Sequence, residues 1–289
     1  MPRTNNPAGS FKLNLFQHPM SGEARFRNAA NYSSTGYSLL ARGKLWLLGL
    51  LAPVSHADLR LAWTKRFVPL LSVRPERLRG LHLAICPSDW SETIIFEELF
   101  LNSGYDLNLV RFQPTDVIDC GGHIGMFSLL ASRHYPDARF RIYEPNPANF
   151  DRILRNKTTN GLSWQCIAGA VAAEDGEADL NIANSHTSSI SEYLGPAVRS
   201  VHVKTYGLAR AIQALAPKRL LLKLDVEGEE KRIWASLIPV LPQTCAIFFE
   251  THHGLEGWSL AESLLKKNGF TVGRRNERGA YFDGFADRG

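Results

Sequence analysis

The chain has 289 residues and a formal net charge of +5, with 44% hydrophobic and 21% charged residues. This composition, which includes 6 Trp and 15 Phe, excludes a disordered or low-complexity protein. The 4 cysteines are too few for a disulfide scaffold and lack the spacing of a zinc site, so we expect a reducing compartment and a cytoplasmic protein.

The positive charge is concentrated near the N-terminus. Residues 1–80 hold 12 basic and 3 acidic side chains, a formal charge of +9, so the remaining residues carry −4. A nucleic-acid-binding domain normally carries its positive patch on its folded body. We therefore predict no nucleic-acid partner for the domain that follows.

The N-terminal region is predicted to contain two segments that precede the main domain. Residues 1–36 are polar, lack the apolar core of a secretory signal and are expected to be flexible, and residues 37–80 are expected to form a basic helical arm. The apolar stretch Leu45–Val54 is too short to cross a bilayer, which takes about 20 residues. It is expected to pack on the domain, or alternatively to make weak contact with an anionic membrane surface through residues 39–54.

From residue 81 to residue 289 the sequence reads as one α/β domain. The predicted strands are Leu81–Ile85, Asp116–Asp119, Arg139–Glu144, Trp164–Val171, Ala178–Ile182, Leu220–Asp225, Cys245–Glu250, Phe270–Gly273 and Ala280–Phe285. The predicted helices are Trp90–Leu101, Phe127–Arg133, Pro147–Lys157, Leu208–Leu215, Glu229–Leu237 and Leu260–Asn268, and residues 184–200 are predicted to form a polar loop.

The alternation of apolar strands with helices predicts βαβ units and a parallel sheet that is covered on both faces. We expect a seven-stranded, mostly parallel, Rossmann-like sheet with helices on both faces and an antiparallel C-terminal hairpin. Ligands bind such sheets at the carboxyl ends of the strands, beside the point where the strand order reverses.

Three motifs follow predicted strands and carry the candidate chemistry. The first is the glycine-rich segment from Asp119 to Gly125, which would let a ligand approach the backbone closely. The second is Glu144, which ends the next strand and is placed to accept hydrogen bonds from a ribose diol. The third is the acidic segment around Asp225 and Glu227. The first two motifs are used by both dinucleotide-binding and S-adenosylmethionine-binding enzymes, so they do not choose between the two classes.

The motifs DCGGHIG, EPNP, SSI and KLDVEGEE, in this order, resemble those of the FkbM-type methyltransferases over about residues 80–285. These enzymes are S-adenosylmethionine-dependent O-methyltransferases with a Rossmann-like fold, so the resemblance implies this cofactor and a hydroxyl of a sugar, glycan or secondary metabolite as the acceptor. The cofactor-binding residues that it implies are Asp119, Gly121, Gly122, His123, Gly125, Glu144 and Asp225.

Within this set the resemblance gives different positions to different residues. It implies that Asp119, Gly121 and Gly125 surround the methionine part of the cofactor, that Glu144 holds the ribose and that Asp225 lies beside the transferable methyl group. Gly122 and His123 depart from the Ala-Asn of the family. We expect His123 to take over the backbone or cofactor contact of that Asn.

Methyl transfer to an alcohol needs a group that accepts the proton, with an expected gain of about 10²–10⁴ in rate. His252, in the segment FFETH, is the first candidate because a neutral imidazole titrates near working pH. Asp225 and Glu227 are its competitors. Asp225, Glu227 and Glu250 would offer oxygen ligands to Mg²⁺, but no Asp-Asn pair typical of metal-dependent catechol methylation follows Asp225, so no metal site is predicted.

Two other functions remain open at this stage. One is a nicotinamide-dependent oxidoreductase, against which the missing G-x-G-x-x-G pattern argues. The other is a non-catalytic cofactor-binding module of the same fold. The sequence identifies neither the acceptor nor the oligomeric state.

Overall fold

The computed structural model describes residues 71–73, 78, 80–85, 89, 92, 95–101, 105–182, 188–190, 199–278 and 281–289. The predicted segment 1–36, most of the arm 37–80 and the membrane-contact stretch 39–54 lie outside these residues and stay predictions. Leu71–Val73, which fall within the predicted helical arm, form a strand instead. Among the described residues no helix combines the length and the hydropathy that crossing a bilayer requires.

The described chain contains thirteen strands. They are β1 (Leu71–Val73), β2 (Leu83–Ile85), β3 (Asp116–Cys120), β4 (Arg139–Glu144), β5 (Gln165–Ala168), β6 (Ala170–Ala172), β7 (Gly176–Ile182), β8 (Ser188–Ser189), β9 (Arg199–Gly207), β10 (Arg219–Leu224), β11 (Thr244–Thr251), β12 (Thr271–Arg278) and β13 (Tyr281–Arg288).

In the described part of the chain, five α-helices with complete bounds accompany the strands. They are α1 (Met126–His134), α2 (Pro147–Thr159), α3 (Leu208–Leu215), α4 (Glu230–Leu237) and α5 (Gly254–Lys267). A π-helical turn spans Glu97–Leu101, within the predicted helix Trp90–Leu101, and short 3₁₀ turns span Leu107–Leu109 and Ile238–Val240.

The main sheet has seven strands in the order β12-β13-β11-β10-β3-β4-β5. The central strands β11, β10, β3, β4 and β5 run parallel, and β13 pairs antiparallel with both β11 and β12. The predicted fold class is therefore confirmed. The strand order reverses between the neighbouring strands β3 and β10, so the carboxyl ends of these two strands lie side by side.

Apolar side chains on successive positions of the parallel strands point to opposite faces of the sheet. Val117 packs in one core cluster with α1, whereas its neighbour Ile118 packs in the other with α4. Phe248 and Phe249 of β11 divide in the same way. The continuous apolar runs of the sequence thus arise because both faces of the sheet are covered.

A second, four-stranded sheet has the order β6-β9-β7-β8. The predicted strand Trp164–Val171 is divided by Gly169 between the two sheets. A Cβ at Gly169 would lie 2.5 Å from a ring carbon of Tyr206 in β9, so only glycine lets the chain pass this crossing. The prediction of a polar loop over residues 184–200 was wrong at two places among the described residues, because Ser188–Ser189 form β8 and β9 begins at Arg199.

Candidate active site

A cavity of about 440 Å³ opens at the carboxyl ends of β3, β4, β10 and β11. This volume lies within the usual range for small-molecule sites, about 300–1,000 Å³. Its apolar wall comes from helix α1, the π-helical turn and the second sheet, through residues such as Leu99, Met126, Phe127, Val171 and Leu180. Its charged lining consists of Glu98, Glu144, Lys223, Asp225, Glu227, Glu250 and His252.

The turn after β3 packs closely against the backbone that follows β10 and against the end of β4. Gly121 has φ +79°, and a Cβ there would lie 1.9 Å from the carbonyl oxygen of Asp225. A Cβ at Gly122 would lie 2.4 Å from Ile142. The backbone N–H groups of both glycines donate to the carbonyl oxygen of Tyr143, at 3.1 and 2.9 Å. The two glycines therefore form a narrow floor that lines the cavity without filling it.

His123 contributes its backbone to the site. Its φ is +51°, in the left-handed region that Asn and His adopt more readily than most residues. In this conformation its N–H donates to Glu144 Oε2 at 2.7 Å. That His123 takes over a contact of the family's Asn stays a prediction.

Glu144 ends β4 and lies on the cavity wall, 4% exposed. Its Oε1 accepts hydrogen bonds from the backbone N–H of Asn146 at 2.9 Å and from the side chain of Asn149 at 3.4 Å. Burial raises the pKa of Glu144 to about 7, although these donors act in the opposite direction. A carboxylate has about four acceptor positions, so Glu144 retains capacity for a ligand after these three bonds.

The segment Pro145-Asn146-Pro147 fixes the position of Glu144 by starting helix α2. Asn146 is the N-cap, and its side chain accepts from the N–H of Ala148 at 3.2 Å. Pro147 takes the first helical position, where a missing N–H costs nothing. The EPNP motif thus ends β4, begins α2 and leaves the carboxylate of Glu144 on the cavity wall.

Lys223 is a buried cation at the centre of the site. Its Nζ donates to the carbonyl oxygen of Gly121 at 2.8 Å and lies 3.3 Å from Asp225 Oδ2 and 3.6 Å from Asp119 Oδ1. Burial alone would lower the pKa of Lys223, but Asp225 and Asp119 together raise it above its usual range. Lys223 therefore stays charged and joins the ends of β3 and β10.

Asp119 and Gly125 are not on the cavity wall that the described residues form. Asp119 is 0% exposed and accepts a hydrogen bond from Ser128 at 2.6 Å, while Gly125 begins helix α1 with φ +85° against the ring of Trp164. We assign both residues a supporting role. Their direct contact with a cofactor stays a prediction.

The loop after β10 is organised by Glu230, a residue 1% exposed at the start of α4. Its Oε1 accepts a hydrogen bond from the backbone N–H of Val226, and its Oε2 accepts one from the backbone N–H of Gly228, both at 3.0 Å. Glu227 between them has φ +52°, an unusual conformation for this residue type, and its carbonyl oxygen accepts a hydrogen bond from Ser189 Oγ of β8. The loop is thereby fixed with the side chain of Glu227 on the cavity wall.

His252, 2% exposed, lies between carboxylates on both sides. Its Nδ1 is 3.0 Å from Glu230 Oε1, and its Nε2 is 3.2 Å from Glu227 Oε2 and 3.7 Å from Glu250 Oε1. Burial alone would lower the pKa of His252, but Glu230 and Glu227 raise it well above its usual value. This geometry favours a charged imidazolium, so the neutral imidazole that we expected of a general base is not the state that the surroundings stabilise.

Asp225, Glu227 and His252 each present one possible ligand atom, and these atoms lie within 4.8 Å of one another. Such a set is compatible with a cation. Both ring nitrogens of His252 already contact carboxylates, however, and a metal on Nε2 would have to replace the proton that the imidazolium presents to Glu227.

Several site residues were not identified from the sequence. Lys223 belongs to the motif KLDVEGEE but was not predicted as a site residue, although a lone lysine in the apolar strand β10 is a signal for a buried ion pair. Tyr105 and Tyr281 also line the cavity, and no periodicity marks either of them. Glu230, at the first position of α4, was also not predicted as a site residue, although it orders the loop and holds His252.

Comparison with known proteins identifies the family. The model of the methyltransferase FkbM domain matches residues 119–272. Methyltransferase 1 of Beauveria bassiana is 26% identical over 210 residues, which cover 62% of this chain and 80% of the relative. Methyltransferase sdnD of Sordaria araneosa is 36% identical over 66 residues, which cover 23% of this chain and 25% of the relative.

Similar solved structures include the methyltransferase FkbM of Methylobacillus flagellatus, with a TM-score of 0.46 and 14% identity over 92% of this chain and 60% of that one. An Agrobacterium tumefaciens SAM-dependent methyltransferase has a TM-score of 0.46 and 9% identity over 76% of this chain and 70% of that one. The family model matches more than half of the chain and includes the glycine turn, Glu144 and the acidic loop. The chain belongs to the FkbM methyltransferase family.

Proposed function

We propose that this methyltransferase uses S-adenosylmethionine and methylates a hydroxyl of a sugar, glycan or other small molecule. The observation that carries the proposal is the arrangement of the cavity, with Glu144 at one end, acidic residues at the other and a glycine floor between them. Family membership supports a methyltransferase and gives no support to the nicotinamide-dependent alternative.

The distance between the two ends suits this cofactor. Glu144 is the last residue of β4, and Glu250 belongs to β11. In the sheet, β10 and β3 lie between these two strands. Three spacings of about 4.8 Å place the two strands about 14 Å apart. An adenosine sugar held at Glu144 would leave the other end of the cavity for the acceptor.

The residues present fit the cofactor. Glu144 retains acceptor capacity for a ribose hydroxyl, and Gly121 and Gly122 line the cavity at a turn that packs too closely against Asp225 and Ile142 for any side chain. When bound, S-adenosylmethionine supplies a methyl group on a positively charged sulfur. Asp225, positioned by Lys223, contributes the negative charge that stabilises a cationic centre in the middle of the cavity.

We assign to Glu227 the role of accepting the proton of the acceptor hydroxyl. Burial raises the pKa of Glu227, opposed in part by His252, so this carboxylate binds a proton more readily than an ordinary one. His252 acts as a positioning residue, since its Nε2 contacts Glu227 and its Nδ1 is fixed by Glu230. The proton acceptor thus differs from our first candidate, His252.

The proposal is tested by incubating the full-length protein with metabolite extracts and S-adenosylmethionine that carries a ¹³C-labelled methyl group. Mass spectrometry finds the labelled product, and the methyl carbon shift in NMR distinguishes oxygen from nitrogen or carbon as the acceptor atom. Glu227→Gln is expected to reduce transfer by about 10²-fold or more while it retains cofactor binding. Glu256→Gln, which removes the same charge from an exposed position, is the matched control.

Label on nitrogen or carbon would refute O-methylation. Cofactor binding without transfer to any extract component would instead support the non-catalytic module. Full transfer by Glu227→Gln would refute the assigned proton acceptor and leave the reaction class intact.

A further inference from the structure

The charged lining of the cavity is strongly unbalanced. Among the residues that the structure describes, it contains five carboxylates and two cations, with one of the carboxylates, Glu144, at the cofactor end. The other carboxylates are grouped toward the acceptor end and consist of Glu98, Asp225, Glu227 and Glu250. A cavity of this kind attracts a positive ligand and repels a negative one.

Both cations are already engaged by the protein. Lys223 contacts Asp225, Asp119 and a backbone carbonyl, and His252 lies between Glu227 and Glu230. A phosphate or carboxylate on the acceptor would have to compete with these buried partners for either cation. Removing one partner from such a pair is costly, so the lining disfavours an anionic acceptor.

Glu250 is only weakly compensated by the described surroundings. Its ion-pair contact is His252 Nε2, at 3.7 Å, and its register partner on β13 is another acid, Asp283. Burial, Asp225 and Asp283 raise the pKa of Glu250 well above its usual value, with His252 acting in the opposite direction. The side chain is still 25% exposed and lines the cavity, so a ligand can reach it.

Aromatic rings complete this end of the cavity. The ring of Tyr281 meets that of His252 edge to face at 5.2 Å, and Tyr105 lies close enough to Asp225 and Glu250 for both acids to raise its pKa, after burial as the larger cause. Carboxylates beside aromatic rings are the surroundings in which proteins bind ammonium groups.

Resting on the proposed function, we propose that the acceptor carries a positively charged amine as well as the hydroxyl that is methylated, and that Glu250 binds this amine. The class is that of amino sugars and other hydroxylated amines. A divalent cation is the competing occupant, but it would need a deprotonated His252 Nε2, and the carboxylates of Glu227 and Glu230 at the two ring nitrogens favour the imidazolium. The engaged histidine therefore favours the amine.

The test compares three pyranoses of nearly equal size: glucosamine, glucose and glucuronate. Each is titrated calorimetrically into the full-length protein saturated with S-adenosylhomocysteine, so no turnover interferes. We expect glucosamine to bind about tenfold more tightly than glucose, as one partly screened charge pair would give, and glucuronate to bind more weakly than glucose.

Glu250→Gln is expected to reduce the preference for glucosamine over glucose to near unity, whereas Glu256→Gln, a loss of the same charge at an exposed site, leaves it unchanged. Equal binding of glucosamine and glucose, including no binding of either, overturns the proposal. Displacement of glucosamine by Mg²⁺ overturns it in favour of a metal site. Failure of S-adenosylhomocysteine itself to bind would refute the proposed function, which separates the two claims.

Discussion

The buried carboxylate of Glu144 is expected to make the stability of the protein depend on pH. Its pKa in the folded state is about 7, against an ordinary value of 4.5. The folded protein therefore binds more protons at this site than the unfolded chain between these two pH values, and the free energy of unfolding falls as the pH rises. At about 1.36 kcal/mol per pKa unit, the full effect is about 3.4 kcal/mol, of which about 2.5 kcal/mol falls between pH 5 and pH 8.

Urea unfolding of the wild type and of Glu144→Gln at a series of pH values isolates this contribution. The amide cannot accept hydrogen bonds at both terminal atoms, so the variant loses a constant amount of stability through its contacts with His123 and Asn146. The other acids titrate in both proteins. The variant should therefore gain about 2–3 kcal/mol relative to the wild type as the pH rises from 5 to 8. A difference between the two proteins that does not change with pH would refute the reasoning.

Two further substitutions test the centre of the site. Lys223→Met removes the cation beside the buried Asp119 and the partly exposed Asp225 and should lower the free energy of unfolding by about 3–5 kcal/mol in urea titrations. The exposed-pair control Lys231→Met should cost less than about 1 kcal/mol, and equal losses would contradict the buried ion-pair network. Gly121→Ala directs a Cβ against the carbonyl oxygen of Asp225 at a positive φ and should cost at least about 3 kcal/mol by the same measurement. Gly273→Ala, where a Cβ meets nothing within 4 Å, should cost less than about 1 kcal/mol, and a similarly mild Gly121→Ala would show that the turn has room to relax.

The central sheet was predictable because its signal is local and repeated. Strands such as β10 and β11 are buried on both faces, so nearly every residue in them is apolar and the pattern needs no knowledge of the partner strand. One helix start was poorly predicted, whereas the other four described α-helices start within one residue of the prediction. The last helix begins at Gly254 and not at Leu260, since its first turn carries few apolar residues.

The second sheet was harder to predict because its strands alternate weakly and pair across long chain separations. β9 has mostly half-buried and exposed residues, so its sequence resembles that of a loop. Its pairing with β6 and β7 is decided by tertiary contacts, among them the crossing at Gly169.

The candidate site was predictable where a motif follows a strand, as for Glu144 and Asp225. The charge state of His252 was not, because it depends on Glu230, a residue 22 positions away in the chain. A histidine in a sequence suggests a neutral imidazole that acts as a base. Two carboxylates in contact with the ring instead stabilise its protonated form, the imidazolium.

The most direct test of the account is the calorimetric titration of S-adenosylmethionine into the wild-type protein and into Glu144→Ala. We predict saturable binding of one molecule per chain in the wild type and a loss of at least about tenfold in affinity in the variant, since a hydrogen bond to a charged acceptor contributes about 1.5–3 kcal/mol. Absence of binding to the wild type, or equal affinity in both proteins, would contradict the claim that this cavity holds the cofactor by its ribose.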